Sequence, residues 1–173
     1  YSGSGDGTIH LWNEGEPYEY VKILKGHNCF IYCLAIDENA LYSGSGDRTI
    51  RIWNKEEPHE CITTLKGHTG WATCLAISKS TLYSGSIDKR IRIWNKEEPY
   101  GCITTMDRHV GMVTCLAVDE NTIYSGSLGK NIYIWRRKAP YECIKTFEGH
   151  TLSVSCLAIG NNTLYSGGAD GTI

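Results

Sequence analysis

The stretch VTCLAVDENTIYSGS, residues 113–127, together with TIRIWN, residues 49–54, decides how this chain folds. In the first, short apolar runs alternate with polar turn residues. In the second, Ile50 and Ile52 alternate with Thr49, Arg51 and Trp53, a period of two that spells a strand with two distinct faces. A further run, ECITTLKGH at residues 60–68, is β-branched and follows an acidic bend, NKEEP, where Pro58 forbids a continuous strand; Pro99 does the same one unit later. No segment carries ten residues of helical periodicity. Each unit therefore supplies four short strands, near TCLAI, LYSGS, TIRIW and CITTL.

Working outward, the same phrase returns at a fixed interval. Tyr1, Tyr42, Tyr83, Tyr124 and Tyr165 each begin it, so the chain opens on YSGSGDGTI and closes on YSGGADGTI. Its 173 residues are four units of 41 residues plus nine, with no insertion and no linker. Four-stranded antiparallel units with a period in the low forties are the signature of propeller blades. The fold class expected is all-β, with complete blades at 28–68, 69–109 and 110–150 and partial blades at 1–27 and 151–173. The first unit lacks an innermost strand and the last stops within its third. The expectation is a segment of a longer propeller, whose remaining blades would be partners of this one.

Composition narrows the function. Lys and Arg total 17 against 19 Asp and Glu, a net charge of −2 that offers no electrostatic case for nucleic acid or an anionic membrane. No run approaches the length of a membrane span. Seven of the eight cysteines follow the repeat, Cys33, Cys74, Cys115 and Cys156 in one register and Cys61, Cys102 and Cys143 in another. They read as small core residues rather than a disulfide framework, and no C-x-x-C marks a metal site. Reduced thiols place the chain in the cytoplasm, with the nucleus as the alternative.

The recurring pairs Gly26-His27, Gly67-His68 and Gly149-His150, the SGS-x-D turns and the Trp ending TIRIWN resemble the WD-repeat family over the whole chain. Where that family ends its repeat in Trp-Asp, this chain has Trp-Asn at Trp12, Trp53 and Trp94 and Trp-Arg at Trp135. The resemblance implies buried structural tetrads: His27, Ser43, Asp47 and Trp53; His68, Ser84, Asp88 and Trp94; a third of His109, Ser125 and Trp135, with Gly129 in place of the Asp; and a partial one of His150, Ser166 and Asp170. Every unit thus offers a Ser, a His and an Asp, yet three triads in a row are implausible as catalysis and natural as repeated clasps. The glycines of YSGSGDGTI are not a phosphate loop, because a strand and not a helix follows them. No catalytic residue, cofactor or metal is expected. The third clasp is the weakest.

The resemblance also implies which end meets partners. The positions are Phe30, Tyr32 and Gly46 in the first complete blade, then Trp71, Thr73 and Ile87, then Met112, Thr114 and Leu128, and lastly Ser153, Ser155 and Ala169. They differ from unit to unit while the clasp residues recur. Arg48, Arg51, Lys89, Arg90 and Arg92 read by alternation as a solvated charged face opposite the acidic bends. The function expected is a non-catalytic scaffold or adaptor that binds a peptide or protein on this end. The alternative is a targeting arm of a larger enzyme, a ubiquitin ligase or protein kinase, with its catalytic domain elsewhere.

Overall fold

The computed structural model describes all 173 residues, and they form strands and turns with no helix. The period-two segments fold into successive antiparallel sheets. The first holds β1 (Ser2–Gly3), β2 (Ile9–Trp12) and β3 (Tyr20–Leu24). The second runs β4 (Ile31–Ile36), β5 (Ala40–Ser45), β6 (Thr49–Asn54), β7 (Cys61–Lys66) in spatial order. The third repeats this with β8 (Ala72–Ile77), β9 (Thr81–Ser86), β10 (Ile91–Asn95) and β11 (Cys102–Met106). The fourth does so with β12 (Val113–Val118), β13 (Thr122–Ser127), β14 (Ile132–Arg136) and β15 (Cys143–Phe147). Two strands, β16 (Val154–Gly160) and β17 (Thr163–Gly168), make the fifth.

The core lies between sheets, not within them, which is why the second strand of each complete blade is buried along most of its length on both faces. From the second sheet, Tyr42, Ile50, Ile52 and Leu65 pack against Ala72, Leu82 and Trp94 of the third. From the third, Ile91, Ile93 and Met106 meet Val113, Ile123 and Trp135 of the fourth. Each Trp therefore seals the gap to the sheet before it. Trp53 and Trp94 are 3% and 2% exposed, whereas Trp12, whose sheet has no such neighbour, is 50% exposed.

Close packing of the inner strands depends on the glycine of the SGS phrase. A Cβ on Gly85 would stand 2.5 Å from both Cys74 Sγ and Val113 Cγ1, so the small residue admits the thiol of its own blade and the valine of the next. Each innermost strand also carries a bulge. Register shifts between Ile31 and Cys33, Ala72 and Cys74, Val113 and Cys115, and Val154 and Cys156, lifting Tyr32, Thr73, Thr114 and Ser155 out of the ladder.

The hairpins joining second to third strands share one geometry. Arg48 N–H donates to Ser45 O at 3.2 Å and Lys89 N–H to Ser86 O at 3.1 Å, and the donor residue itself adopts positive φ. Gly7 and Gly171 occupy this position in the outer two blades, at φ +83° and +80°. Arg48, Lys89 and Lys130 occupy it in the inner three at φ 70°, 69° and 70°, a conformation that costs a non-glycine residue about 1 kcal/mol. In every blade it is the residue after the Asp position that takes the strained angle, including the fourth, where Gly129 stands in that position and Lys130 still has φ 70°.

Candidate functional site

In the third blade, Ser84 Oγ sits at the centre of the predicted tetrad. It lies 2.7 Å from His68 Nε2 and 2.8 Å from Trp94 Nε1, while His68 Nδ1 is 2.8 Å from Asp88 Oδ2. An indole N–H can only donate, so Ser84 Oγ accepts from Trp94 and sends its own proton to His68 Nε2; His68 then donates from Nδ1 to the carboxylate. Burial opposes ionisation of Asp88, but bonds from His68, Thr69 N–H and Arg90 N–H outweigh it and hold the acid at about 2. The second blade repeats the arrangement, with His27 at 2.7 Å from Asp47 and 2.8 Å from Ser43, which takes Trp53 Nε1 at 2.8 Å. Desolvation lowers the pKa of His27 despite its aspartate.

The order of bonds from Ser to His to Asp is that of a catalytic triad, but the surroundings differ. Ser43, Ser84 and Ser125 have no exposed surface, and the Trp indole occupies the hydroxyl lone pair that would face a substrate. A nucleophile so placed has no access to an acyl carbon. The clasp ties the loop before the innermost strand to the middle of the sheet.

The fourth blade is different. His109 Nε2 meets Ser125 Oγ at 2.7 Å and Trp135 Nε1 donates to the same oxygen at 2.8 Å, but with Gly129 in the Asp position the buried His109 Nδ1 has no partner. Burial alone drives its pKa down to about 4. A second exchange accompanies this one. Arg51 and Arg92 lie over Trp53 and Trp94, 5.9 Å from each ring, and crowd against Gly26 and Gly67. In the fourth blade Arg108 replaces that glycine and Tyr133 replaces the strand arginine, with the guanidinium 5.6 Å from the Tyr133 ring. The reading of Arg51 and Arg92 as a free, solvated face is thereby corrected: both are half-buried cation–π partners with Nη1 3.5 Å from Cys61 and Cys102 Sγ. The sequence clue was present, since both arginines stand two residues before a Trp.

In the outer blades, His150 contacts Ser166 at 2.8 Å and both oxygens of Asp170 at 3.1 Å, and Trp12 donates to Ser2 at 2.8 Å. All eight cysteines are free thiols. Burial raises Cys33 to about 12 and Cys115 to about 11, leaving them as thiols at neutral pH.

At the end where the clasp loops lie, three aromatic rings of adjacent blades come together. Tyr32 stacks on Trp71 with ring centroids 5.2 Å apart and planes 15° apart, although they lie on different sheets. Phe30 meets Tyr32 edge-on at 6.3 Å and rests over Gly5 of the first blade. All three remain substantially exposed, at 50% for Phe30, 40% for Tyr32 and 41% for Trp71. The bulge explains how: it turns Tyr32 out of the sheet, and Gly46, whose Cβ would lie 3.3 Å from the Tyr32 ring, leaves room for it. Backbone bonds from Gly46 N–H to Phe30 O, Ile87 N–H to Trp71 O and Leu128 N–H to Met112 O bring the paired loop positions together in each blade.

Not every candidate belongs to this surface in the same way. Leu128 is exposed, while Ile87 and Met112 are half-buried. Thr73 and Thr114 point their hydroxyls at the next blade: Thr73 Oγ1 donates to Val113 O at 2.6 Å and Thr114 Oγ1 donates to Val154 O. Their bulge delivers a bridge between innermost strands, so these two hydroxyls are engaged within the protein and not offered to a ligand.

The geometry is that of a β-propeller segment whose blades are joined by side-chain clasps. The family model described as WD domain, G-beta repeat matches residues 18–54, 59–95, 100–136 and 141–173, and the chain belongs to the WD-repeat family. Each of the first three matched repeats takes the outermost strand of one sheet and three strands of the next, and the fourth takes β15 with the two strands β16 and β17, so the sequence unit staples neighbouring blades covalently. No curated protein matches the chain. Among solved structures it is similar to the computationally designed Ika8 protein, at 27% identity and TM-score 0.87, covering 98% of this chain and 52% of that one. It is also similar to the computationally designed Ika4 protein, at 27% identity and TM-score 0.79, covering 86% of this chain and 91% of that one. The chain thus spans about half the length of Ika8. Repeats of this family act in general as protein-interaction scaffolds.

Proposed function

We propose that this chain is a non-catalytic adaptor that binds a peptide or protein segment on the end of the propeller carrying Phe30, Tyr32 and Trp71. The carrying observation is the Tyr32–Trp71 stack across two blades, which leaves both rings 40% or more exposed. Exposed aromatic residues held by packing lose little freedom on binding, and such residues dominate interface energetics. The rings are fixed by the bulge, by Gly46 and by each other, so the surface is organised before a partner arrives. Ile87, Met112 and Leu128 extend it with apolar contact. Cysteines that follow the repeat as small packing residues, Cys33, Cys74 and Cys115 among them, fit a reducing compartment, the cytoplasm.

Selection of binders from a displayed random-peptide library tests the reading. Peptides enriched by the wild-type chain are expected to lose about tenfold or more in affinity for Trp71→Ala and to bind Lys138→Ala, on the opposite end, unchanged. Enrichment that is indifferent to Trp71→Ala and Phe30→Ala refutes it.

A further inference from the structure

The two ends of the propeller differ in charge as well as in apolar character. Most of the 19 Asp and Glu residues sit in the turns opposite the aromatic end, in sequences such as NEGEP, NKEEP and DEN. On the aromatic end of the second and third blades, Asp47 and Asp88 are sequestered, with side chains 9% and 4% exposed and bonded to their histidines. Beside the clasp loops, Lys25 and Lys66 give way in the same register to the exposed acids Asp107 and Glu148, whereas the exposed charges on the hairpin tips are cationic, Arg48, Lys89 and Arg90. Lys130 continues the series on the fourth blade. On the first blade Asp6 is exposed and accepts hydrogen bonds from the Thr8 N–H and hydroxyl.

The hairpin cations carry a second signal. Arg48, Lys89 and Lys130 hold the left-handed position that glycine fills in the outer blades, and Asn would be the usual alternative to glycine there. In all three inner blades the strained residue is instead a long cation. Each tip lies two residues beyond Gly46, Ile87 or Leu128, whose N–H groups bond the carbonyls of Phe30, Trp71 and Met112. Strain held in this way is a mark of a functional position.

We infer that the aromatic end takes an acidic peptide segment, with an apolar side chain on the Phe30, Tyr32 and Trp71 rings and carboxylates reaching the tips of Arg48, Lys89 and Lys130. This rests on the proposed aromatic docking surface and adds the chemistry of its ligand. The acidic turns of the far end repel the same segment, so the field of the whole molecule steers it to one end. A nucleic acid fits less well, because a long polyanion would meet the acidic end too.

The test uses three synthetic heptapeptides, each with a central Phe flanked by glutamates, by alternating Ser and Gly, or by lysines, titrated against the 173-residue chain by calorimetry. The glutamate peptide is expected to bind about tenfold more tightly than the Ser-Gly one, and to lose most of that margin between about 50 mM and about 200 mM salt. Replacement of Arg48, Lys89 and Lys130 together by Gly removes the cations and relieves the strained angle, so the variant folds. It is expected to bind glutamate and Ser-Gly peptides alike. Equal binding of the two by the wild-type chain, or a margin untouched by the triple replacement, overturns the acidic preference while a loss on Trp71→Ala keeps the aromatic site. Absence of binding by every peptide overturns both. Tight, salt-dependent binding of a duplex oligonucleotide, indifferent to Trp71→Ala, overturns it in favour of nucleic acid.

Discussion

Ser84 Oγ and Trp94 Nε1 lie 2.8 Å apart inside the third blade, and the same oxygen holds His68 at 2.7 Å. One hydroxyl with no exposed surface satisfies an indole and an imidazole that have no water to turn to. Ser84→Ala leaves two buried polar groups unpaired and is expected to destabilise by about 3 kcal/mol, read as a lower urea midpoint with an unchanged slope. A loss under about 0.5 kcal/mol would mean that the clasp does not hold the blade.

The fourth blade, with His109 Nδ1 unpartnered, is expected to open before the third. Hydrogen exchange should show lower protection across residues 110–146 than across 69–105; equal or greater protection contradicts this. Restoring the acid is the complementary experiment. A Cβ on Gly129 would meet Val110 Cγ2 at 2.9 Å, so the acid is best introduced with Val110→Thr, which places there the residue type found at Thr69. Val110→Thr with Gly129→Asp is expected to stabilise by about 1–2 kcal/mol and to raise protection in that blade.

Acid should act on the same blade first. Above the ordinary histidine value near 6.5, His109 is neutral in folded and unfolded chains and contributes no pH dependence. Between 6.5 and its folded value of about 4, the unfolded chain takes up a proton that the folded one refuses, so stability falls by up to about 1.4 kcal/mol per pH unit. The Asp88 clasp is lost only lower, as pH falls from 3.8 through about 2. Urea titrations at pH 7 and pH 5 should therefore differ, and His109→Gln should reduce the difference, leaving the smaller part due to His27, whose pKa burial also lowers.

Two glycines of the chain should respond oppositely to a methyl group. Gly85→Ala drives a Cβ to 2.5 Å from Cys74 Sγ and Val113 Cγ1 and is expected to cost about 1–3 kcal/mol. Gly149→Ala meets nothing within 4 Å and should stay within about 0.5 kcal/mol. Thermal unfolding of both variants checks the pair.

What the amino-acid sequence settled by itself was whatever repeats locally. Alternation in TIRIWN and TCLAI makes strands, NKEEP and SGS-x-D make the bends between them, and the 41-residue period makes blades, because each depends on residues a few positions apart. The departure at Gly129 was equally legible, since a missing carboxylate shows in the unit itself. Tertiary structure decided the rest. Only the bulge turns Thr73 and Thr114 toward the next blade and Tyr32 outward, and one extra residue in a ladder reverses what simple alternation implies. Only the packing of sheets brings Tyr32 onto Trp71 across 39 positions of chain, and only it lays Arg51 and Arg92 over the clasp tryptophans instead of in water. Where the ladder is unbroken, pattern fixes which face a side chain takes on its own strand; the bulge and the neighbouring blade fix the rest.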